Sequence, residues 1–265
     1  MGGYSCMRTS TYSAKEVYGK LHIPTTYAGT CPGDFDGTQI PYNVIPEMFY
    51  GYYRTGIGGI DIGIRVGGGG GWRAFCYDGG SGIIPSTATK DSLIFSTSLV
   101  TPGILLYMRT WVEKTGTKYY ACINVSTSGY NNTDLMSTPL KTEISSSFGA
   151  AILSYGATIN REISLAANSG VPNYETSGCY MTNAEFIDTG LKMNSGSVIW
   201  DDNKSKIRTE PYGATPGASG TNVLLMRKDY ATSYNPNRMK LISVTNGLWG
   251  ATEKVSIDFR PTPQI

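Results

Sequence analysis

The chain is short of charge. Only 16% of its 265 residues are Asp, Glu, Lys or Arg, and 22 basic residues stand against 20 acidic ones. Globular proteins average roughly 25%. No run of Lys or Arg occurs, so the clustered basic footprint of a nucleic-acid binder is missing and no nucleic-acid partner is expected. No stretch of about 18 apolar residues occurs either, so no membrane span is expected. Histidine appears once, as His22, and none of the five cysteines lies in a CxxC pair. That excludes a zinc-ligand set of ordinary spacing. The N-terminal "MGGYSCMRTS" lacks the apolar segment of a secretion signal. Helical periodicity is almost absent.

What fills the space is glycine and tyrosine: 33 Gly, and 19 Tyr against 7 Phe. With so few charges, solubility falls to Ser, Thr, Asn and Gly, a composition that points to an extracellular or cell-surface place. Tyr, Thr and Ile favour strands, while Gly and Asn favour turns. The strand signal is period-two alternation. In "GIDIGIRV" Ile60, Ile62, Ile64 and Val66 share one side, and Asp61, Gly63 and Arg65 the other. In "ILLYMRTWVEKTGTKYYACINVS" Leu106, Met108, Thr110 and Val112 oppose Leu105, Tyr107, Arg109, Trp111 and Glu113, with "KTGT" as the turn. Further strands are expected at "EMFYGYYRTG", "GAAILSYGA", "NREISLAAN", "CYMTNAEFID", "NVLLMRKDY", "RMKLISVT" and "EKVSIDF". A helical or irregular patch is expected over Thr133–Ser147.

The five glycines Gly67–Gly71 run from one strand into another, "WRAFCYDGG". A phosphate loop leads into a helix, and its Gly-rich turn is followed by Lys and Ser or Thr. Neither feature is present, so the run is a hairpin loop. The fold class expected is therefore all-β, an antiparallel β-sandwich or a barrel, with few or no helices. It would form a single domain over residues 1–265. Residues 1–46 would be an irregular N-terminal extension whose first strand lies near 14–23.

The blocks "GGIDIGIRVGGGGGWRAFCYDGGSG" and "ILLYMRTWVEKTGTKYYACINV", with "YGKLHIPT" upstream, resemble the concanavalin-like jelly rolls. Within these they are similar to uncharacterised secreted β-sandwich proteins of Gram-positive bacteria. The likeness covers Ala14–Val125. It implies a secreted β-sandwich and supplies no catalytic residues.

Two clusters are candidate binding sites. Tyr107, Arg109, Trp111 and Glu113 share one strand face at roughly 6.6 Å intervals. A sugar ring can stack on Trp or Tyr while Arg and Glu meet its hydroxyls; alternatively these side chains pack and pair among themselves. Asp61, Arg73 and Tyr77 form the second cluster, where either Asp61 or Arg65 would face either Arg73 or Tyr77 across paired strands. An arginine fork there suits a carboxylated sugar, and cross-strand ion pairing is the plainer reading. Glu113, Glu162, Glu185 and Asp188 are scattered and read as solvated charges. They offer no pair at the spacing a retaining glycosidase needs. The "DFDGT" loop offers Asp34 and Asp36 to a structural calcium ion, or simply an Asx turn. No other cofactor is expected. Cys6 and Cys31 flank a loop-rich segment that a disulfide could staple, whereas Cys76 and Cys122 read as small buried hydrophobes. The function expected is non-catalytic binding of an extracellular polysaccharide or glycan. A polysaccharide hydrolase or lyase is the alternative, and a self-assembling surface protein, a homo-oligomer, is the second alternative.

Overall fold

In the computed structural model of the chain, the described residues are 3–9, 13–28, 44–67, 70–167, 179–200, 205–207, 225–228, 239–247 and 250–258. The strands in chain order are β1 (Gly3–Thr9), β2 (Ala14–His22), β3 (Thr26–Ala28), β4 (Val44–Arg54), β5 (Gly58–Val66), β6 (Trp72–Tyr77), β7 (Leu105–Thr115), β8 (Lys118–Ser126) and β9 (Leu140–Ile144). One helix, α1 (Ser146–Tyr155), follows. Then come β10 (Thr158–Ala167), β11 (Tyr180–Met193), β12 (Gly196–Ile199), β13 (Ser205–Ile207), β14 (Leu225–Lys228), β15 (Met239–Gly247) and β16 (Gly250–Asp258). Among the described residues these make a seven-stranded sheet, β13-β1-β10-β4-β5-β6 with β14 also on β1. They also make a nine-stranded sheet, β15-β16-β11-β2-β7-β8-β9 with β12 and β3 on β11. The architecture is the expected antiparallel β-sandwich.

Alternation places the core. Ile60, Ile62 and Ile64 of β5, Met48, Tyr50 and Tyr52 of β4, and Ile159, Ile163 and Leu165 of β10 turn inward from the smaller sheet. Leu106, Met108 and Val112 of β7 and Ala121, Ile123 and Val125 of β8 meet them from the larger one. The hairpins fall where the alternation puts them. Val66 pairs with Trp72, and the Gly67 N–H donates to the Gly71 carbonyl at 2.7 Å, so the glycine run closes a β-hairpin. Thr115 pairs with Lys118 across the second turn. Cys76 and Cys122 are buried free thiols, as expected, and burial pushes both thiols up.

Two local expectations change. "GAAILSYGA" lies largely in α1, not a strand, and Leu140–Ile144 of the expected helical patch is β9. The Ser145 hydroxyl caps the helix by accepting from the Phe148 N–H, and Gly156 ends it at φ 73°. This is a Ser start and Gly stop around alanines. Phe148 and Ile152 then bury on the sandwich. Residues 3–9 also pair with β10 as a strand of the smaller sheet.

Among the described residues, a buried ion pair links the sheets. Arg161 of β10 points inward and donates from Nε and Nη2 to Glu253 Oε2 of β16, at 3.4 and 3.3 Å. Its Nη1 donates to the Thr189 hydroxyl of β11 at 3.0 Å, and its guanidinium lies 5.2 Å from the Trp200 ring and 5.7 Å from the Phe186 ring. Both charged side chains are fully buried. Removing one partner strands the other charge in the core. Arg161→Met should therefore lower stability in urea unfolding by about 3–5 kcal/mol, and Arg161→Met with Glu253→Leu should recover most of it. Equal losses in the single and double variants would contradict this role.

Candidate active site

The outward face of the seven-stranded sheet carries Glu47, Asp61, Arg65, Arg73 and Glu162. Across neighbouring strands the backbone register aligns three rows. Ser164, Glu47, Arg65 and Arg73 form one; Glu162, Phe49, Gly63 and Phe75 the next; Asn160, Gly51, Asp61 and Tyr77 the third. Phe49 and Phe75 meet edge to face over Gly63, with ring centres 6.0 Å apart. The floor is flat because glycine makes it so. A Cβ on Gly59 would stand 2.2 Å from the Tyr53 ring, and one on Gly51 would stand 2.7 Å from Asp61 Oδ1. The Tyr53 ring thus lies down on β5. Its hydroxyl donates to Asp61 Oδ1 at 2.9 Å, and the Asp61 carboxylate leans across β4 toward β10, the strand of Glu162.

The electrostatics change along this strip. At one end Asp61 and Tyr53 are half-buried and Tyr77 is exposed. At the other, Glu47 and Arg65 are buried. Arg65 Nη2 donates to Asp91 Oδ1 at 2.6 Å, and Arg73 Nε lies 3.7 Å from the same oxygen. Burial lifts the Glu47 carboxyl from an ordinary 4.5 to about 7, against the opposing pull of the Arg65 charge, with Asp61 adding to the rise. A carboxyl that keeps its proton to near neutrality, beside others on one face, can both give and take protons in a reaction. Glu162 is buried next to Phe49, not a solvated charge. Its signal in the sequence was the phase of "TINREISLA": Ile159, Ile163 and Leu165 turn inward, so Asn160, Glu162 and Ser164 share the outer face. Glu47 carries the same signal in "VIPEMFYG".

The two clusters expected from sequence lie on opposite faces of the sandwich. Asp61 faces Tyr77, and Arg65 faces Arg73, across β5 and β6; these belong to the strip just described. Tyr107, Arg109, Trp111 and Glu113 share the outer face of the nine-stranded sheet, where they serve one another and their neighbours. Arg109 clasps Glu16 at 2.8 and 3.0 Å, donates to the Asn131 side-chain oxygen Oδ1 at 2.8 Å and covers the Trp111 ring at 4.8 Å. Trp111 Nε1 donates to Glu113, which also accepts from Lys141 at 2.7 Å. Tyr107 packs edge-on against Tyr130. Asp34, Asp36 and Cys31 lie outside the described residues, as does the side chain of Cys6. Among the described residues no group of three or more His, Cys, Asp or Glu could hold a metal ion, and no helix is long and apolar enough to cross a membrane.

The fold is similar end to end to that of Scytalido-glutamic peptidase, seen with a peptide-based transition state analogue. The TM-score is 0.51 with 11% identity, covering 97% of this chain and 98% of that one. It is also similar to SCP-B, a member of the Eqolisin family of peptidases, in complex with the tripeptide Ala-Ile-His. There the TM-score is 0.50 with 12% identity over 97% and 98% of the two chains. No family model and no curated protein matches the chain. At these identities the likeness is one of fold, a β-rich sandwich. It nonetheless corrects the expected function. The chains that share this architecture along their whole length are named as peptidases, not lectins, polysaccharide-degrading enzymes or surface assemblers. The preference for a non-enzyme falls with it.

Glu47 yields a stability prediction. Its folded value is raised above its unfolded one, so the folded state holds the extra proton between about 4.5 and 7. The resulting stability is complete below the lower value and is lost as pH rises through the upper one. The loss should be of order 3 kcal/mol. Glu47→Gln should flatten this slope in unfolding measured across that range, and an unchanged slope would show that Glu47 is not the group titrating.

Proposed function

We propose that this protein is a peptidase whose reaction is carried by the carboxyl groups on the outer face of the seven-stranded sheet. The observation that carries the reading is the mixed proton state of that strip. Glu47 holds its proton to about pH 7, while Asp61 accepts a hydrogen bond from Tyr53 and Glu162 stands on the strand toward which Asp61 leans. Amide hydrolysis without a nucleophilic side chain needs one carboxylate to take a proton from water and a proton source for the departing nitrogen. Glu162 is the base in this reading: water loses a proton to it as its oxygen attacks the peptide carbonyl. Glu47, one strand over and one step along, returns a proton to the nitrogen as the C–N bond breaks. Asp61 and Tyr53 line the far side over Gly51 and orient the water. The names of the two structural neighbours support this reading by analogy of fold alone. An extracellular place of action, expected from the charge-poor composition, belongs to the same proposal.

The test is cleavage of a fluorescence-quenched peptide library from acid to neutral pH. Glu162→Gln should lower kcat by about 10²–10⁴-fold while leaving the unfolding midpoint nearly in place. Glu47→Gln, which removes the proton donor, should lower kcat and abolish the alkaline limb of the pH profile, which otherwise falls near pH 7. Full activity in Glu162→Gln, or no cleavage by the unaltered chain at any pH, would sink the reading.

A further inference from the structure

The opposite face of the sandwich holds a second built feature, a cleft of about 400 Å³ lined by His22, Thr25, Gly103, Asn183, Glu185 and Lys254. It lies on the outer side of the nine-stranded sheet, where β11 runs between β2 and β16. Glu185 pairs with His22 on one side and Lys254 on the other. The cleft contains the chain's only histidine. Both cations converge on one oxygen: His22 Nδ1 is 2.9 Å and Lys254 Nζ 3.2 Å from Glu185 Oε2. An ionised carboxylate can only accept, so Nδ1 carries the hydrogen.

The wall opposite is shaped by a bulge. The register of β11 against β16 slips between Met181 and Ala184, and Asn183 sits at φ 56°. Its N–H is held by the Ser256 hydroxyl at 3.0 Å, and its amide donates to the Thr25 hydroxyl at 3.1 Å. Bulges re-aim side chains and cluster at functional places in sheets. The charge count is uneven. Glu185 supplies one negative charge, Lys254 one positive, and His22 a second once its ring is protonated. Among the described residues nearby, Lys20 of β2 binds Asp188 of β11 at 3.1 Å, and Asp258 of β16 is buried two steps beyond Ser256. β3 contributes only the neutral Tyr27 as a titratable group, and His22 faces the apolar Leu105 of β7.

We propose that this cleft is a second binding site, distinct from the carboxyl strip, and that it takes the carboxylate of a small organic acid or of a peptide C-terminus. Lys254 and the imidazolium of His22 hold the two oxygens, the Thr25 and Asn183 side chains supply neutral hydrogen bonds, and Glu185 orients the imidazole and sets the charge surplus at one. The site does not depend on the peptidase reading.

A single histidine makes the test direct, because all imidazole signals in proton NMR, the Hε1 and Hδ2 of one ring, belong to His22. Acetate stands for the free acid and N-acetylglycine for a peptide end, with N-acetylglycinamide as the uncharged control. Either carboxylate probe should move the His22 ring signals saturably, and the amide should not. Stronger binding of N-acetylglycine than of acetate would identify a peptide end; equal binding would identify the carboxylate alone as the ligand. Lys254→Met, a change at a partly exposed side chain, should weaken binding by about tenfold or more, the worth of one charge-assisted hydrogen bond. Glu185→Gln, which removes the competing anion, should tighten it. A signal that moves equally with the amide, fails to saturate, or responds the same in Lys254→Met would overturn the site.

Discussion

Strand β10 is held from its inward side, and the outer face depends on that hold. Arg161 is fixed by Glu253 and Thr189 of the opposite sheet, so its neighbours Asn160 and Glu162 must point out. In a strand the side-chain period is two, and a slip of one residue would carry Glu162 into the core and Arg161 into water. Apolar packing alone sets this phase weakly here, because the inward row of β10 is interrupted by the arginine itself. A buried ion pair is a poor source of net stability. What it supplies is a penalty for every other register, since any slip leaves Glu253 buried without its partner. The Tyr52 hydroxyl, donating to the Thr110 carbonyl at 2.8 Å across the same interior, ties the neighbouring strand β4 to β7. Two adjacent strands of the small sheet, the ones that display Glu162 and Glu47, are thus pinned by polar contacts to the large one.

Glycine completes what the pinning begins. A sheet face normally bristles with side chains on every strand, yet β4 and β5 place Gly51, Gly59 and Gly63 in the middle of theirs. The space is used at once, by the Tyr53 ring over Gly59 and by the Phe49–Phe75 contact over Gly63. The result is a strip with an aromatic floor and carboxyls standing along it. Low-dielectric walls raise the proton affinity of the deepest carboxyl, Glu47, while the shallower end at Asp61 stays open to water.

Much of this was legible from the chain, and the failures are instructive. Period-two alternation found both central hairpins, and the glycine run was recognised as a turn because no helix follows it. The cross-strand facing of Asp61 with Tyr77 and of Arg65 with Arg73 followed from pairing the same two segments. The helix was missed because "GAAILSYGA" is short and apolar, where periodicity cannot separate a buried strand from a buried helix. Its serine start and glycine stop were the better signal. On β7 the plainer of the two readings, side chains packing and pairing, had no partner to name for a different reason. Sequence shows which side chains share a face but not what stands on the neighbouring strand. Glu16 on β2 is 93 positions from Arg109, and it is Glu16 that takes the guanidinium. The same blindness made Glu162 and Glu185 look scattered, since their partners come from distant strands.

The scarcity of charge gives those burials their meaning. A chain with abundant Lys and Glu scatters them over its surface, and a surface ion pair contributes little. Here charges are few, and many are withdrawn from water: Arg161 and Glu253 wholly, and Glu47, Arg65, Glu162 and Glu185 nearly so. Each withdrawal costs free energy that an apolar side chain of similar size would not incur. The interior pair accounts for itself by fixing register. Glu47 and Glu162 stand instead on the outer face, beside the aromatic side chains of β4 and β6. There burial keeps the Glu47 carboxyl in its neutral form to near neutrality, so its withdrawal from water costs less than that of a charge.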